Sequence, residues 1–215
     1  MSLVFDLALI VILFFLFASS HSILAAFDVK KRLTEKIGTK IAFYRIFYNI
    51  SSLIIFISVY YLSPKPNVVI YDLQFPYDMI IFTIQVFGII GLIWSVLQIN
   101  GKEFLGLTQI KRYFEGNYRL DDLDEYHELV VKGPFKYSRH PIYFFTIIVL
   151  GFRPTMDLFY LVFFLCMLAY FYVGSMYEER SLEKRYGNKY LQYKAKVPRL
   201  IPNPFLKLNL AEENS

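Results

Sequence analysis

A series of long apolar runs, separated by charged segments, is the feature that most constrains this chain. The first run, residues 3–26, contains one charge, Asp6. Since about 20 helical residues cross a hydrocarbon core, this run predicts a membrane-spanning helix. A cleaved signal peptide is the alternative, because Ala18-Ser19-Ser20 resembles a cleavage site, but the run lacks the positive n-region of such peptides.

Four further apolar runs follow the first one. The second ends at Ser63-Pro64-Lys65-Pro66, where two prolines remove backbone donors. The fourth has 11 residues, about 16 Å of helix, and is too short for a core of about 30 Å. We therefore predict that it leans on neighbouring helices and forms a helical hairpin with the fifth. The four runs are 46–62, 79–99, 142–152 and 158–174.

Composition agrees with a membrane location. The chain is 56% hydrophobic and 19% charged, against about 45–50% and 25% in soluble domains. A disulfide scaffold is excluded, because Cys166 is the only cysteine. The prediction is an all-α integral membrane protein of about five transmembrane helices, the last two a hairpin, with a cytoplasmic C-terminal helical segment.

We expect one domain over residues 1–215, because no repeat or glycine-rich linker interrupts the chain. Three transmembrane helices occupy 1–99, and a polar segment over 100–140 precedes the hairpin, 141–174. A tail over 175–215 completes the domain.

The orientation of the helices follows from the positive charges. Of the 23 Lys and Arg residues, 21 lie in segments 28–45, 100–140 and 178–215. The positive-inside rule places these segments in the cytoplasm, which predicts an outer N-terminus and a cytoplasmic C-terminus, in the inner membrane if the source is bacterial. The net charge of +5 is therefore a topological signal. Nucleic-acid binding is disfavoured, because the aromatic residues lie within the apolar runs rather than on a basic face.

Arg139 and His140 stand directly before the fourth apolar run, where ionisable groups are expensive and indicate function. Pro141 suits the first turn of a helix, and the backbone N–H groups after it are then available for an anionic or carbonyl oxygen. The alternative is an interfacial Arg-His pair that reaches the lipid headgroups.

Glu178 and Glu179 follow the last apolar run, at a helix end where the dipole favours cations. We expect Arg139, His140 or a cationic ligand to compensate these carboxylates. The alternative is a solvated amphipathic helix with Glu and Lys or Arg three and four residues apart.

These residues belong to a longer pattern that resembles the isoprenylcysteine carboxyl methyltransferase and phospholipid methyltransferase superfamily, a group of integral-membrane enzymes that use S-adenosylmethionine. Other residues resemble its bacterial branch, which includes methanethiol S-methyltransferase: His21-Ser22, Tyr44-Arg45, Tyr48-Asn49, Gly106-Leu107-x-Gln109 and Pro154-Thr155-Met156. The main pattern comprises His127-x-Leu129-Val130, Gly133, Arg139-His140-Pro141-x-Tyr143, Glu178-Glu179-x-x-Leu182, Gly187, Tyr190, Tyr193, Val197-Pro198 and Ile201-Pro202.

The resemblance implies roles for individual residues. Segment 100–140 takes part in cofactor binding, and the tail completes the site. Glu178 is implied to bind a polar part of the cofactor, and Phe135 stands where prenylcysteine enzymes often have a tyrosine beside it. The cofactor-contacting set is His127, Leu129, Val130, Phe135, His140, Pro141, Ile142, Tyr143 and Glu178.

One departure from the prenylcysteine enzymes concerns the methyl acceptor. Those enzymes carry an arginine, implicated in holding the substrate carboxylate, where this sequence has Gly174. A small thiol such as methanethiol, giving dimethyl sulfide, therefore fits better than a prenylcysteine. The alternatives are a lipophilic acceptor, either an isoprenylcysteine carboxylate or a phospholipid amine, and a non-enzymatic membrane protein.

For a thiol acceptor, His140 is predicted as the base and Arg139 as a cation that stabilises the thiolate. His21, with Arg45 or Asn49, is predicted to close the acceptor pocket; the alternative is hydrogen bonding between helices. No metal is expected, since His127 and His140 lack partners at zinc-ligand spacing.

Overall fold

The computed structural model describes residues 2–120, 123 and 129–206. Its elements are almost all helical, in agreement with the predicted fold class. The helices are α1 (Leu3–Ala25), α2 (Phe27–Ile37), α3 (Tyr44–Leu62), α4 (Tyr77–Val96), α5 (Gly101–Leu105), α6 (Leu107–Phe114), α7 (Pro141–Gly151), α8 (Leu158–Tyr186) and α9 (Asn188–Lys196), with 3-10 helices at Gly38–Phe43 and Gly133–Lys136 and strands β1 (Val69–Asp72) and β2 (Thr155–Asp157).

Four helical stretches among the described residues are long and apolar enough to cross a membrane. Helix α7 is apolar but has only 11 residues, so it does not reach that length, as its sequence predicted. The count of about five helices thus consists of four long helices and this short one. The long stretches are Leu3–Ala25, Phe27–Leu62, Tyr77–Val96 and Leu158–Tyr186.

The chain divides into two compact units, so far as its residues are described. The expectation of one domain over 1–215 is not tested by this division and stays a prediction. The first unit comprises Met1–Ile70, Asn100–His127 and Asp157–Cys166, and the second comprises Tyr71–Ile99, Glu128–Met156 and Met167–Ser215.

Aromatic side chains form the core of the first unit. The Phe14 ring lies edge-on to Phe163, with 5.3 Å between centroids, and Phe17 contacts Phe56 at 5.1 Å. Phe14, Phe17 and Phe163 are all buried. Edge-to-face pairs of this kind add about 0.5–1.5 kcal/mol each beyond the burial of area, so they fix α1 and α3 against the start of α8.

In the second unit, α7 packs against α4. Glycines on α4 make this close approach possible, because a Cβ at Gly91 would lie 2.2 Å from the Phe145 ring and one at Gly88 would lie 2.8 Å from Ile148. Gln85 adds a hydrogen bond, donating through Nε2 to the Val149 carbonyl at 2.8 Å. The short arm of the predicted hairpin therefore leans on a neighbouring helix, as expected.

The strands β1 and β2 form a small sheet that the sequence analysis did not predict. Within the second unit, the Leu73 N–H donates to the Pro154 carbonyl at 3.0 Å, and the Thr155 hydroxyl donates to Asp72 at 2.6 Å.

Candidate active site

The site in the second unit is built on the entry to α7. Gly133 has φ +57°, and a Cβ there would lie 2.8 Å from the Gln98 side chain, so a glycine is needed for this turn. Pro141 begins α7 with His140 as the residue before it, as predicted from the tolerance of a first helical turn for proline. The turn and the helix start together fix the position of Arg139 and His140.

A backbone ladder holds the residues before α7 against the tail. The Arg139 N–H donates to the Pro198 carbonyl at 2.9 Å, and the His140 N–H donates to the Arg199 carbonyl at 3.0 Å. The buried Ser138 hydroxyl contacts the carbonyls of Arg199 and Leu200 at 3.1 and 2.9 Å. These bonds explain why the Val197-Pro198 part of the motif accompanies Arg139-His140.

Glu179 is the buried centre of an ionic cluster. Its carboxylate accepts two hydrogen bonds from Arg139, at 2.9 and 2.8 Å, and two from Arg199, at 3.1 and 3.3 Å. Lys194 Nζ lies 3.2 Å from Glu179 Oε2. The Glu179 side chain is only 1% exposed. Paired carboxylates are tolerated at such burial because charge-assisted hydrogen bonds satisfy them.

The Arg139 side chain makes several hydrogen bonds within this cluster. Besides Glu179, its guanidinium donates to the backbone carbonyls of Lys194, at 2.8 Å, and Val197. The side chain is 8% exposed. Of the two carboxylates that Arg139 was expected to compensate, it contacts Glu179 alone, and its contacts favour a positioning role over contact with an acceptor.

Lys194 bridges two carboxylates on the open side of the cluster. Its ammonium contacts Glu183 as well as Glu179. The hydrogen bond with Glu183 raises the pKa of Lys194 above its ordinary value, so this cation stays charged at neutral pH.

Glu178 stands in a different environment from its neighbour. Its side chain is 49% exposed and accepts a hydrogen bond from the Tyr143 hydroxyl at 2.9 Å. His140 Nδ1 lies 3.4 Å from the same oxygen. Among the described residues no Lys or Arg pairs with Glu178, so its negative charge is available to a cationic ligand.

Aromatic stacking supports the Glu178 carboxylate. Tyr143 lies between His140, at 5.2 Å and 8° between ring planes, and Phe171, at 4.8 Å and 10°. His140 also approaches Glu179 through Nε2, at 3.3 Å. Each ring nitrogen of His140 therefore faces a carboxylate, and the ring is held in one orientation.

The other predicted cofactor residues are dispersed around these groups. Leu129 packs against the cluster of Tyr190, Tyr193 and Val197, and the Phe135 carbonyl accepts a hydrogen bond from Tyr193 at 2.6 Å. Pro141 is buried, whereas Val130 and Ile142 are half-buried. His127 lies outside the described residues.

Sequence reasoning missed two cations, Lys194 and Arg199, that complete the Glu179 cluster. Neither stands within the recognised motif, although Arg199 directly follows Pro198. The only indication in the sequence was the pair of adjacent carboxylates, Glu178 and Glu179. The pair predicts that cations lie nearby but does not say which residues supply them.

Two tyrosines on α9 give a stability prediction. Both are buried, and burial raises the pKa of both hydroxyls, yet only Tyr193 has a partner, since the Tyr190 hydroxyl contacts no hydrogen-bonding group in the described chain. We expect Tyr193→Phe to lower the free energy of unfolding by about 1–2 kcal/mol, and Tyr190→Phe to leave it unchanged or raise it.

Chemical unfolding in detergent, followed by near-ultraviolet circular dichroism, checks this difference. The two variants are matched controls for each other, because each loses one hydroxyl from the same helix. Equal destabilisation by both would show that the Tyr190 hydroxyl has a partner such as a buried water.

The predicted acceptor residues His21, Arg45 and Asn49 all lie in the first unit, where they make separate hydrogen bonds. His21 Nδ1 lies 2.9 Å from the Ser52 hydroxyl, and Nε2 lies 2.7 Å from the Tyr48 hydroxyl. Arg45 and Asn49 both donate to the Phe104 carbonyl at 3.0 Å. These contacts include the hydrogen bonds between helices that were the alternative interpretation.

Segment 100–112 is fixed to α3 by these bonds. Gly106 has φ +90°, and a Cβ there would lie 2.9 Å from the Arg45 Cβ and from the Ile46 nitrogen. Glu103, which is 2% exposed, accepts hydrogen bonds from Arg112 at 3.1 and 3.3 Å. The close backbone approach explains the glycine of the Gly106-Leu107-x-Gln109 pattern.

No group of three or more His, Cys, Asp or Glu side chains within 2–120, 123 and 129–206 is placed to hold a metal ion.

Comparison with known proteins identifies relatives of this chain. The phospholipid methyltransferase family model matches residues 86–189. The chain is 31% identical over 192 residues to methanethiol S-methyltransferase 1 of Bradyrhizobium diazoefficiens, which covers 87% of this chain and 64% of that protein. It is 30% identical over 204 residues to methanethiol S-methyltransferase of Crocosphaera subtropica, covering 94% and 76%. No solved structure matches the chain.

The helical stretches long enough to span a membrane, together with these relatives, define a multi-pass membrane protein of a methyltransferase family. The chain belongs to the isoprenylcysteine carboxyl methyltransferase and phospholipid methyltransferase superfamily, in the branch of the bacterial methanethiol S-methyltransferases. The resemblance predicted from the motifs is thereby confirmed. The chain spans less than two thirds of the Bradyrhizobium protein, so what that whole protein does is not transferred by similarity alone.

Proposed function

We propose that this protein transfers a methyl group from S-adenosylmethionine to a small thiol, with methanethiol as the acceptor and dimethyl sulfide as the product. The observation that carries the donor assignment is the contrast between the two adjacent carboxylates. Glu179 is neutralised by three cations, whereas Glu178 is half-exposed and has no Lys or Arg partner among the described residues.

The residues around Glu178 fit a cationic donor. A carboxylate attracts a positive group by Coulomb interaction, which strengthens where water is scarce. Tyr143 orients the Glu178 carboxylate by its hydrogen bond, and Phe171 fixes the Tyr143 ring from the other side. S-Adenosylmethionine, when bound, supplies the methyl group as an electrophilic carbon on a positive sulfonium.

The chain's own residues chiefly have to hold the reactants and move one proton. Methyl transfer is an in-line displacement in which the acceptor sulfur forms a bond to the methyl carbon as the donor sulfur takes the electron pair of the broken bond. Positioning of this kind supplies much of the barrier reduction. The acceptor thiol must lose its proton, because the thiolate is the nucleophile.

His140 is the proposed base for that proton. In the structure Nδ1 lies 3.4 Å from Glu178 and Nε2 lies 3.3 Å from Glu179, so the imidazole is held beside the carboxylate that we propose binds the donor. A donor held at Glu178 would therefore lie next to His140 Nδ1, the nitrogen that we propose accepts the thiol proton.

The acceptor assignment is supported by the relatives and by Gly174. Two of the similar proteins are called methanethiol S-methyltransferases. Apart from its chain neighbours and its own helix backbone, no described atom lies within 4 Å of the Cβ position at Gly174, so this position offers no counterpart of the carboxylate-binding arginine of the prenylcysteine enzymes. An acceptor without a carboxylate fits this arrangement.

We propose that the N-terminus lies outside and the C-terminus in the cytoplasm, in the inner membrane if the source is bacterial. Support comes from contacts within each unit. Arg45 of the first basic segment contacts Phe104 of the second, and Arg139 contacts Lys194 of the third. Segments predicted to share the cytoplasmic side are thus in contact.

Ligand binding tests the methyltransferase proposal directly. We expect S-adenosylhomocysteine, titrated into the detergent-solubilised protein, to raise its melting temperature; at 100 times Kd the added stability is about 2.7 kcal/mol. The absence of any shift in folded wild-type protein would contradict the donor assignment.

A second measurement identifies the acceptor. Cells that express the protein and are fed methanethiol are expected to release dimethyl sulfide into the headspace, and cells with an empty vector serve as the control. If the ligand shift is present but dimethyl sulfide is not formed, the methyltransferase remains and the small-thiol assignment is wrong. Analysis of methylated phospholipids in the same cells then tests the amine alternative.

A further inference from the structure

A groove in the second unit is lined by Arg139 and by residues of the tail, within 194–205. Its volume is about 590 Å³. The lining combines three cations, Arg139, Lys194 and Lys196, with apolar side chains, and its described residues include no Asp or Glu. The proposed methyl transfer does not use this groove, so its composition calls for an explanation of its own.

Two large apolar side chains of the groove are exposed. Phe205 is 90% exposed and Ile201 is 74% exposed. Single exposed apolar residues are common, but a group of them beside charged residues indicates an interaction surface. Because both side chains line the same groove, they form one apolar patch at its edge with the cations.

The cations of the groove differ in how far their charge is neutralised. Arg139 and Lys194 both contact Glu179. Lys196 is exposed and makes no hydrogen bond or ion pair among the described residues. The carbonyls of Lys194 and Val197, at the end of α9, accept hydrogen bonds from Arg139, which reduces their repulsion of an anion. The Lys196 ammonium is therefore available to a negatively charged ligand.

The groove lies at one end of the apolar helices of this unit. The backbone ladder holds the tail against the residues directly before α7. Helix α7 is antiparallel to α4, since Gly91 faces Phe145 whereas Gly88 faces Ile148. The start of α7 therefore lies beside the end of α4, which is long and apolar enough to cross a membrane. This level corresponds to the membrane surface, where aromatic and basic side chains are enriched.

We propose that this groove binds an anionic phospholipid, with the phosphate against Lys196 and the acyl chains along Ile201 and Phe205. A soluble anion would leave the two apolar side chains in water, and a neutral lipid would leave the lysine charge uncompensated. Lysines near an anionic membrane surface each strengthen binding about fivefold. The lipid does not react, and its binding depends on neither the methyl donor nor the methyl acceptor.

A lipid titration tests the charge requirement. Phosphatidylglycerol, added to the full chain in maltoside micelles, should raise the melting temperature more than phosphatidylcholine does. We expect Lys196→Gln to raise the phosphatidylglycerol concentration for half of this shift about fivefold. Lys189→Gln is the matched control, because Lys189 is also exposed on α9 but does not line the groove. Equal responses to the two lipids, or equal losses in the two variants, would overturn the proposal.

A fluorescent reporter tests the apolar contact without relying on stability. Trp94→Phe removes the only tryptophan, and Phe205→Trp in that background places a single indole in the groove. Phosphatidylglycerol with brominated acyl chains should quench this fluorescence strongly, and the added Lys196→Gln substitution should weaken the quenching. Strong quenching by aqueous iodide, with none by brominated lipid, would show that residue 205 lies in water and would overturn the proposal.

Two soluble ligands separate the lipid from other occupants. Glycerol 3-phosphate carries the phosphate without acyl chains and should cause no shift at the concentrations at which phosphatidylglycerol acts; an equal shift would overturn the lipid assignment. S-Adenosylhomocysteine should stabilise Lys196→Gln as it does the wild type, and loss of that shift would assign the groove to the donor instead. If phosphatidylglycerol stabilises the wild type while S-adenosylhomocysteine does not, the lipid site stands and the proposed function fails.

Discussion

Replacing Glu179 by alanine is expected to lower the free energy of unfolding by about 3–5 kcal/mol, because the substitution leaves a buried arginine without its counter-charge. Arg139 is 8% exposed and directs both Nε and Nη2 at Glu179. Its remaining acceptors are two backbone carbonyls, which do not neutralise a full charge. Arg199 and Lys194 would add like-charge repulsion.

The neighbouring carboxylate is the matched control. Glu178→Ala removes an equal side chain from the next position of α8, but one that is 49% exposed, so we expect a stability change below about 1 kcal/mol. The same variant should lose most of the shift caused by S-adenosylhomocysteine. Urea unfolding in mild detergent measures the first effect, and a thermal titration measures the second.

Equal stability losses in the two variants would contradict this division of roles. A Glu179→Ala protein as stable as wild type would show that the cations of the cluster are solvated. If Glu178→Ala binds the ligand normally, Glu178 does not hold the donor, although the structural role of Glu179 would be unaffected.

Replacing His140 by alanine is expected to lower kcat for methanethiol about 100-fold or more at pH 7, the range of a positioned general base. The imidazole is buried, and its ring stacks on Tyr143 between two carboxylates. Alanine removes both the proton acceptor and one face of the aromatic stack. The base role also requires the wild-type kcat to change with pH between 6 and 9.

Two controls separate proton transfer from positioning. Tyr143→Phe keeps the stacked ring but removes the hydrogen bond to Glu178, so it should weaken donor binding and keep the pH profile. Steady-state rates at saturating S-adenosylmethionine give kcat at each pH, and rates at varied S-adenosylmethionine give its KM. A wild-type kcat that stays constant from pH 6 to 9 would reject the general-base role, and a loss in His140→Ala would then reflect positioning.

Local sequence rules predicted the parts of the site that depend on neighbouring residues. Pro141 marks the start of α7, and the two carboxylates at Glu178 and Glu179 indicate that cations must lie nearby. Arg139 and His140 were among the candidates for that role, and both contact Glu179. The partners Lys194 and Arg199 were not predicted, because many positive residues of the tail satisfy the same charge requirement equally well.

For other site residues, the sequence alone predicted that a partner exists but not which residue it is. His21 bonds to Tyr48, whereas Arg45 and Asn49 bond to Phe104. A polar residue in an apolar run predicts a partner without specifying which one. Gln109 belonged to a recognised pattern, yet the sequence did not predict that its buried Oε1 lacks a hydrogen-bond partner among the described residues. That property depends on the position of the Glu103 carbonyl, which only folding determines.

The sequence by itself determined that this chain spans a membrane through helices, since apolar length and the count of positive charges act locally and need no knowledge of packing. It also determined the methyltransferase superfamily, through motif spacing. Only the tertiary structure decided that Glu179 is the neutralised carboxylate and Glu178 the accessible one. The two residues are chemically identical neighbours, and their difference comes from the side of α8 on which Arg139, Lys194 and Arg199 converge.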